Sequence, residues 1–134
     1  MRDASLTTYL ALPAAGATAE TASLDLGARG YSGTTRSGTL PPNTELLVIW
    51  PALPNLTNGG YITFTVQDSA NDTDFADLHL ESSVVGTVTG GAAGSKRHRL
   101  PPNTRQYVHL KMVASADAGN NTGSIVTFAV DVQT

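Results

Sequence analysis

The chain contains no cysteine, which excludes disulfide bonds and thiolate zinc sites. Charged residues make up only 14% of its 134 residues, and aromatic residues only 6%. No apolar run approaches the length of about 18 residues that suggests a membrane helix, and the N-terminus lacks the apolar stretch of a signal peptide. We therefore expect neither a membrane span nor a leader, and we expect stability to come from side-chain packing.

The rest of the composition is that of a globular domain. Hydrophobic residues make up 40% of the chain. Disordered proteins combine few hydrophobic residues with a high net charge, so this composition indicates a folded protein. A chain of this size buries about two thirds of its unfolded surface, so we expect residues 1–134 to form a single domain. With a net charge of −3 and a pI near 5.4, the chain has no general attraction to nucleic acid or anionic membranes. We expect neither as a partner.

Most of the chain carries the two-residue period of β-strands. Ile62, Phe64 and Val66 alternate with polar residues and would share one face of a strand. The same period occurs in residues 75–82, 105–113 and 124–132. The segment ELLVIW (45–50) is apolar on both faces and predicts a central strand. Turn-forming residues separate these segments, and no window has convincing helical periodicity. The sequence therefore predicts an all-β antiparallel sandwich.

A repeated segment indicates the arrangement of the strands. LPPNT occurs at residues 40–44 and 100–104, each time directly before a predicted strand. Each copy is followed by a Gly/Asn loop and then by a strand with a central Phe, in TFTV (63–66) and TFAV (127–130). Two equivalent halves of about four strands each form a jelly roll of about eight strands. Chance recurrence of a loop segment is the alternative.

The sequence contains no recognisable catalytic or metal-binding motif. His79, His98 and His109 lack metal-ligand spacing, and we expect all three to lie at the surface. Serine and glycine occur in no nucleophile or phosphate-binding pattern. Asp72 and Asp74 have the first spacings of a calcium loop, but residue 76 is Ala where the loop needs glycine. We expect a solvated hairpin turn there, no metal or cofactor, and no enzymatic activity.

Two segments are candidates for binding a partner. Basic residues cluster in the second half of the chain, and acidic residues cluster between positions 68 and 81. The cluster permits docking on an acidic partner or head-to-tail contact between copies, while an ordinary solvated loop is the alternative. The candidate interface residues are Lys96, Arg97, Arg99 and Arg105. Residues 1–15 form either an edge strand or an arm on a neighbour. Their candidate contacts are Leu6, Tyr9, Leu10 and Leu12.

These segments together resemble a known family. SLDLG (23–27), ITFTVQDSANDTDFADL (62–78), RLPPNTRQYVHLKM (99–112) and GSIVTFAVDV (123–132) follow the order of the jelly-roll cement, or decoration, proteins on the heads of short-tailed bacteriophages. The residues that match the family pattern are Val66, Gln67, Asp68, Ser69 and Phe75, then Pro101, Pro102, Tyr107, Val108 and Leu110. Residues 30–60 match it least.

The resemblance implies a virion structural protein rather than an enzyme. Such a protein is made in the host cytoplasm, binds the major capsid protein lattice on the outer surface of the phage head, and is expected to form a homo-oligomer. The alternative is a carbohydrate- or ligand-binding β-sandwich module of a phage particle, since jelly rolls host many kinds of site. Such sites usually stack a sugar on exposed aromatic residues. An exposed Trp50 beside Tyr61 or Tyr107 would favour this alternative, and a buried Trp50 would remove its best platform.

Overall fold

The computed structural model describes residues 2–26, 44–101 and 104–132, and these ranges contain nine β-strands and no α-helix. The strands are β1 (Arg2–Ala11), β2 (Thr18–Glu20), β3 (Leu24–Asp25), β4 (Thr44–Trp50), β5 (Tyr61–Ser69), β6 (Ala76–Val85), β7 (Gly94–Arg99), β8 (Tyr107–Ala114) and β9 (Ile125–Val132). Within the same ranges, no helix is long and apolar enough to cross a membrane.

The strands form two antiparallel sheets. The first, sheet A, has the order β1-β9-β4-β7, and the second, sheet B, has the order β2-β8-β5-β6. The short strand β3 also pairs with β8, so β2 and β3 together occupy one edge of sheet B. β1 packs near β3, and Trp50 of β4 stacks on Phe64 of β5. The edge strands β7 and β6 therefore lie on the same side of the sandwich.

This strand order is that of a jelly roll with two equivalent halves. The inner pair of sheet A is β9 and β4, and the inner pair of sheet B is β5 and β8. Exchanging β4 with β8, β5 with β9, β6 with β1 and β7 with β2 converts one sheet order into the other. The all-β sandwich and the equivalence suggested by the repeat are thus confirmed. The central residues of both LPPNT copies, 41–43 and 102–103, lie outside the described ranges.

The core between the sheets is built from the alternating residues of the inner strands. Ile62, Phe64 and Val66 of β5 are buried, as are Val108, Leu110 and Met112 of β8. In sheet A the inward-facing residues include Leu46, Val48, Phe128 and Val130. β4 lies between β9 and β7, which confirms that ELLVIW is a central strand.

The N-terminal segment forms an edge of sheet A. β1 pairs with β9 from Thr7 to Ala11, and its register shifts between Arg2 and Thr7. Leu12, directly after the strand, is buried in the core, and Leu10 packs against the core. Leu12 is therefore unavailable to a neighbouring molecule, which corrects its assignment as an arm contact. Tyr9 is exposed, and the side chain of Leu6 lies outside what the structure describes.

Candidate partner-binding edges

The basic cluster of the sequence lies mainly on β7, an edge strand of sheet A. β7 pairs with β4 in unbroken register from Gly94 to Arg99. Lys96, Arg97 and Arg99 are all exposed on this six-residue strand. The Arg97 guanidinium lies 3.7 Å from the Glu45 carboxylate of β4, an exposed pair of small energetic value. β7 therefore presents three exposed cations on one edge strand, with Arg97 and Arg99 on its outer face and Lys96 on the face that carries His98.

His98, which lies between these cations in the sequence, is buried rather than exposed. His98 is opposite Leu46 of β4 and is buried, so the expectation of a surface histidine is wrong at this position. The alternation of β7 turns this residue inward while Arg97 and Arg99 turn outward. Burial lowers the pKa of His98, and the nearby positive charge of Lys96 lowers it further.

Arg105 does not belong to the basic edge. It lies in the connection between β7 and β8, where its guanidinium donates hydrogen bonds to the Asp68 carboxylate and to the Asp68 carbonyl, each 2.9 Å long. The backbone N–H of Arg105 donates to the other carboxylate oxygen at 2.9 Å. The bond to Asp68 raises the pKa of Arg105. Arg105 thus fixes its own chain through Asp68, while its side chain stays 36% exposed and its place in a partner interface remains a prediction.

The acidic segment forms the hairpin loop between β5 and β6. Asn71 organises the loop, because its side-chain oxygen accepts hydrogen bonds from the backbone N–H groups of Thr73 and Asp74. Asp72 has a left-handed backbone with φ of 61°, a conformation that Asp tolerates better than most residues. Among the described residues, no group of three or more His, Asp or Glu side chains converges on a possible metal position.

The same loop covers His109 on the outer face of sheet B. The Phe75 ring stacks on the His109 ring with centroids 3.7 Å apart and planes within 9°. The His109 Nε2 lies 2.8 Å from the Gln67 side-chain oxygen and 3.5 Å from the Glu20 carboxylate. His109 is buried, so the expected surface position is wrong here too. Burial lowers its pKa, although Glu20 and Asp72 act in the opposite direction.

Trp50 does not form an exposed aromatic platform. Its side chain is 9% exposed, stacks on Phe64 at 5.2 Å, and donates a hydrogen bond from Nε1 to the Ala92 carbonyl at 3.1 Å. Gly94 leaves space for the indole, since a Cβ there would lie 2.8 Å from the ring. Because Trp50 is buried, the sugar-binding alternative loses its best aromatic platform.

Sequence reasoning missed a second edge, at β6. No described strand pairs with its outer side, so β6 is the last strand of sheet B within the described ranges. At its end, Val85 is 57% exposed and its cross-strand neighbour Tyr61 is 48% exposed. Val88, at the tip of the turn that follows β6, is also exposed. The apolar residues Val84 and Val85 directly after LHLESS were the available signal.

Comparison with known proteins supports the fold. No protein-family model matches the chain, and no curated protein sequence matches it. Among solved structures, the chain is similar to the PBSX exported protein XepA, with a TM-score of 0.58 and 12% identity. The match covers 100% of this chain and 38% of that chain, so this chain spans well under half of its neighbour. At this identity the similarity concerns the fold alone.

Two other similarities are looser. The Yersinia pseudotuberculosis-derived mitogen matches with a TM-score of 0.41 and 10% identity, over 95% of this chain and 82% of that chain. The CBM22-1 and GH10 modules of Clostridium thermocellum xylanase 10B match with a TM-score of 0.43 and 10% identity, over 100% of this chain and 26% of that chain. Neither similarity supports an inference about function.

Proposed function

We propose that this protein is a non-catalytic decoration, or cement, protein of a phage particle, which binds the outer surface of the assembled head through the basic edge of β7. The observation that carries the proposal is the presence of three exposed cations, Lys96, Arg97 and Arg99, on one short edge strand. Three like charges on one edge suit an acidic surface, such as the major capsid protein lattice. The phage assignment rests on the sequence resemblance described above, since the similarity to XepA concerns the fold alone.

The basic edge has a second physical role that the test must separate from binding. Charged residues on an edge strand prevent the strand from pairing with other sheets. Loss of these charges could therefore cause the protein to aggregate. The aggregates would sediment even without capsids and would be mistaken for binding. The state of each variant in the absence of capsids must be measured alongside its binding.

The test is co-sedimentation of the purified protein with heads of its source phage, before and after head expansion. We expect saturable binding to expanded heads that weakens as salt is raised, because exposed charges are screened over about 8 Å at physiological ionic strength. The triple variant Lys96→Ser, Arg97→Ser, Arg99→Ser should lose this binding while remaining folded and unaggregated in the absence of heads. Binding by the triple variant equal to that of the original protein would contradict the role of β7.

A matched control changes charges elsewhere. The variant Asp72→Asn, Asp74→Asn alters two exposed charges in the β5–β6 loop, and its asparagine at position 74 keeps an acceptor for the bond from Asn71. We expect it to bind heads at least as well as the original protein. Absence of binding to either form of the head by the unmodified protein would overturn the decoration role itself.

A further inference from the structure

The four edges of this sandwich differ in how well they resist pairing with another strand. β7 carries three exposed cations, which oppose such pairing. The β2–β3 edge is split into two short pieces, and β1 has a register shift between Arg2 and Thr7. β6 also has an irregularity, where its register with β5 shifts and His79 has a left-handed φ of 61°. Beyond that point, residues 80–85 run in unbroken register with one charged side chain, Glu81.

The backbone groups available on this segment can be assigned. The Gly86 N–H donates to the Gly60 carbonyl at 2.8 Å, and the Gly59 N–H donates to the Gly86 carbonyl at 3.0 Å. Gly86 therefore directs both of its groups towards β5. Because the direction alternates along a strand, the N–H and C=O groups of Glu81, Ser83 and Val85 point away from β5. They form a regular row that can pair with an added antiparallel strand.

On the inward-facing side of residues 80–85, one polar group lacks a hydrogen bond and one apolar side chain is incompletely buried. The Ser82 hydroxyl is buried and has no hydrogen-bond partner in the described part of the chain. Leu80 faces the core but is only partly buried, since no described strand lies beyond β6. A buried hydroxyl without a partner is destabilising, so both features favour an added strand.

We infer that β6 pairs with β6 of a second copy of this chain, antiparallel and about a two-fold axis at Ser82. This register places Ser82 beside Ser82 of the partner subunit in a non-hydrogen-bonded pair. Rotation of the side chain out of its buried position brings the two hydroxyls close enough for one to donate to the other. The register places Glu81 opposite Ser83 of the partner subunit, with both backbone hydrogen bonds formed and the serine hydroxyl able to donate to the carboxylate. It also places Leu80 beside Val84 of the partner subunit.

Neighbouring registers are less favourable. An axis at Glu81 would set the two carboxylates of this residue directly against each other, which is destabilising across a strand pair. An axis at Ser83 would leave the Ser82 hydroxyl opposite Val84 of the partner subunit, where it finds no acceptor. The axis at Ser82 is the register in which the charge, the apolar residues and the buried hydroxyl all gain a complementary neighbour.

The dimer has one consequence for the basic edge. Since β7 and β6 lie on the same side of the sandwich, pairing through β6 brings the two β7 edges to the same side of the dimer. Their like charges oppose the pairing at low salt, and they would give the dimer two neighbouring basic edges. The inference does not depend on capsid binding, because its test uses the purified protein alone.

The absence of cysteine makes the test direct, since a single introduced cysteine can form a disulfide only with another copy. In the proposed register, residue 82 faces its own counterpart at a Cα separation of about 4.5 Å, within the range of a disulfide. We expect Ser82→Cys to form a disulfide dimer rapidly under mild oxidation at physiological salt. The matched variant Ser83→Cys is more exposed but places its sulfur diagonal to its counterpart, at about 7–8 Å, and should form little dimer.

A second variant tests the backbone pairing. Ser83→Pro removes an N–H that points away from β5, so it blocks the added strand and leaves the ladder with β5 intact. In the Ser82→Cys background it should abolish the disulfide dimer, with circular dichroism confirming a folded chain. Faster dimerisation of Ser83→Cys than of Ser82→Cys would overturn the proposed register, and no dimer from either variant would overturn pairing through β6.

Discussion

His98 lies on the inner side of β7 with its side chain buried, opposite Leu46. Its Nε2 has no hydrogen-bond partner within the described ranges. Placing a positive charge there would require desolvation close to Lys96, and both effects lower the pKa of His98. The histidine is therefore held neutral by the fold, which makes the stability of the fold dependent on pH.

This dependence gives a prediction for acid conditions. Above the ordinary histidine pKa of 6.5, His98 is neutral in both states and adds no pH dependence. As the pH falls below this value, the unfolded chain binds the proton first, so the free energy of unfolding decreases until the lower folded pKa is passed. We expect His98→Leu to lose less stability between neutral and mildly acidic pH, measured by urea unfolding at a series of pH values.

The control for this experiment is the exposed histidine of β6. His79→Asn removes a titratable group at a position with positive φ, which asparagine tolerates. Its free energy of unfolding at neutral pH should match that of the original protein, which shows that loss of an exposed histidine is tolerated. His109 adds a dependence of the same sign as His98, since burial also lowers its pKa, so the His98 variant should retain part of the slope. An unchanged slope in His98→Leu would contradict the argument.

At the scale of elements, the β7–β8 connection crosses the end of the sandwich from sheet A to sheet B and is fixed by Arg105. Asp68 of β5 is buried, yet its carboxylate accepts from both the backbone and the guanidinium of Arg105. Thr104 adds a bond from its hydroxyl to the Pro101 carbonyl at 2.7 Å. A buried carboxylate thus holds the segment that leads into an inner strand.

Arg99 and Arg105 flank the same LPPNT segment but should contribute differently to stability. Arg105→Ala removes hydrogen bonds to a buried carboxylate and should lower the free energy of unfolding by about 1.5–3 kcal/mol. Arg99→Ala removes an exposed side chain and should change it by less than about 0.5 kcal/mol. Denaturant unfolding of both variants measures the difference. Equal effects would mean that the Asp68 contact contributes no more than an ordinary surface charge.

The same contrast shows what the sequence could and could not predict. Alternation identified β5, β8 and β9, because each has one face on the core and one face towards solvent. β7 reads as a loop, since SKRHR has a charge at almost every position and its one buried side chain is a histidine. β2 and β3 are too short to show a period. The burial of His109 depends on Phe75, which a distant loop supplies and no local pattern reveals.

Neither candidate edge follows from local pattern alone. Four basic residues close together in sequence suggested one surface, but the topology sends Arg105 to sheet B and leaves Lys96, Arg97 and Arg99 on β7. The exposed side of β6 is a property of the sheet order rather than of its residues. The sequence therefore predicted the kind of fold and the sign of the charged surface. Which strands lie at the sheet edges became known only from the strand pairing in the structure.

At the scale of the whole molecule, the two equivalent halves place Phe64 of β5 and Phe128 of β9 in corresponding positions. Each lies in the strand that follows an LPPNT-led strand, and each is wholly buried. Each also faces the core from an inner strand, Phe64 opposite Met112 and Phe128 opposite Val48. If the halves are equivalent in energy as well as in topology, the two rings should contribute similarly to stability.

The surroundings of Phe64 and Phe128 differ in one contact, and this contact sets the expected difference in their contributions to the free energy of unfolding. Phe64 stacks on Trp50, and aromatic pairs contribute about 0.5–1.5 kcal/mol beyond the area they bury. We expect Phe128→Ala to lower the free energy of unfolding by about 3–5 kcal/mol, and Phe64→Ala to cost more by the value of the stack. Tyr9→Ala on the exposed side of β1 is the control and should change stability by less than about 0.5 kcal/mol. A small loss for Phe128→Ala beside a large one for Phe64→Ala would show that the halves correspond in strand order but not in their share of the core.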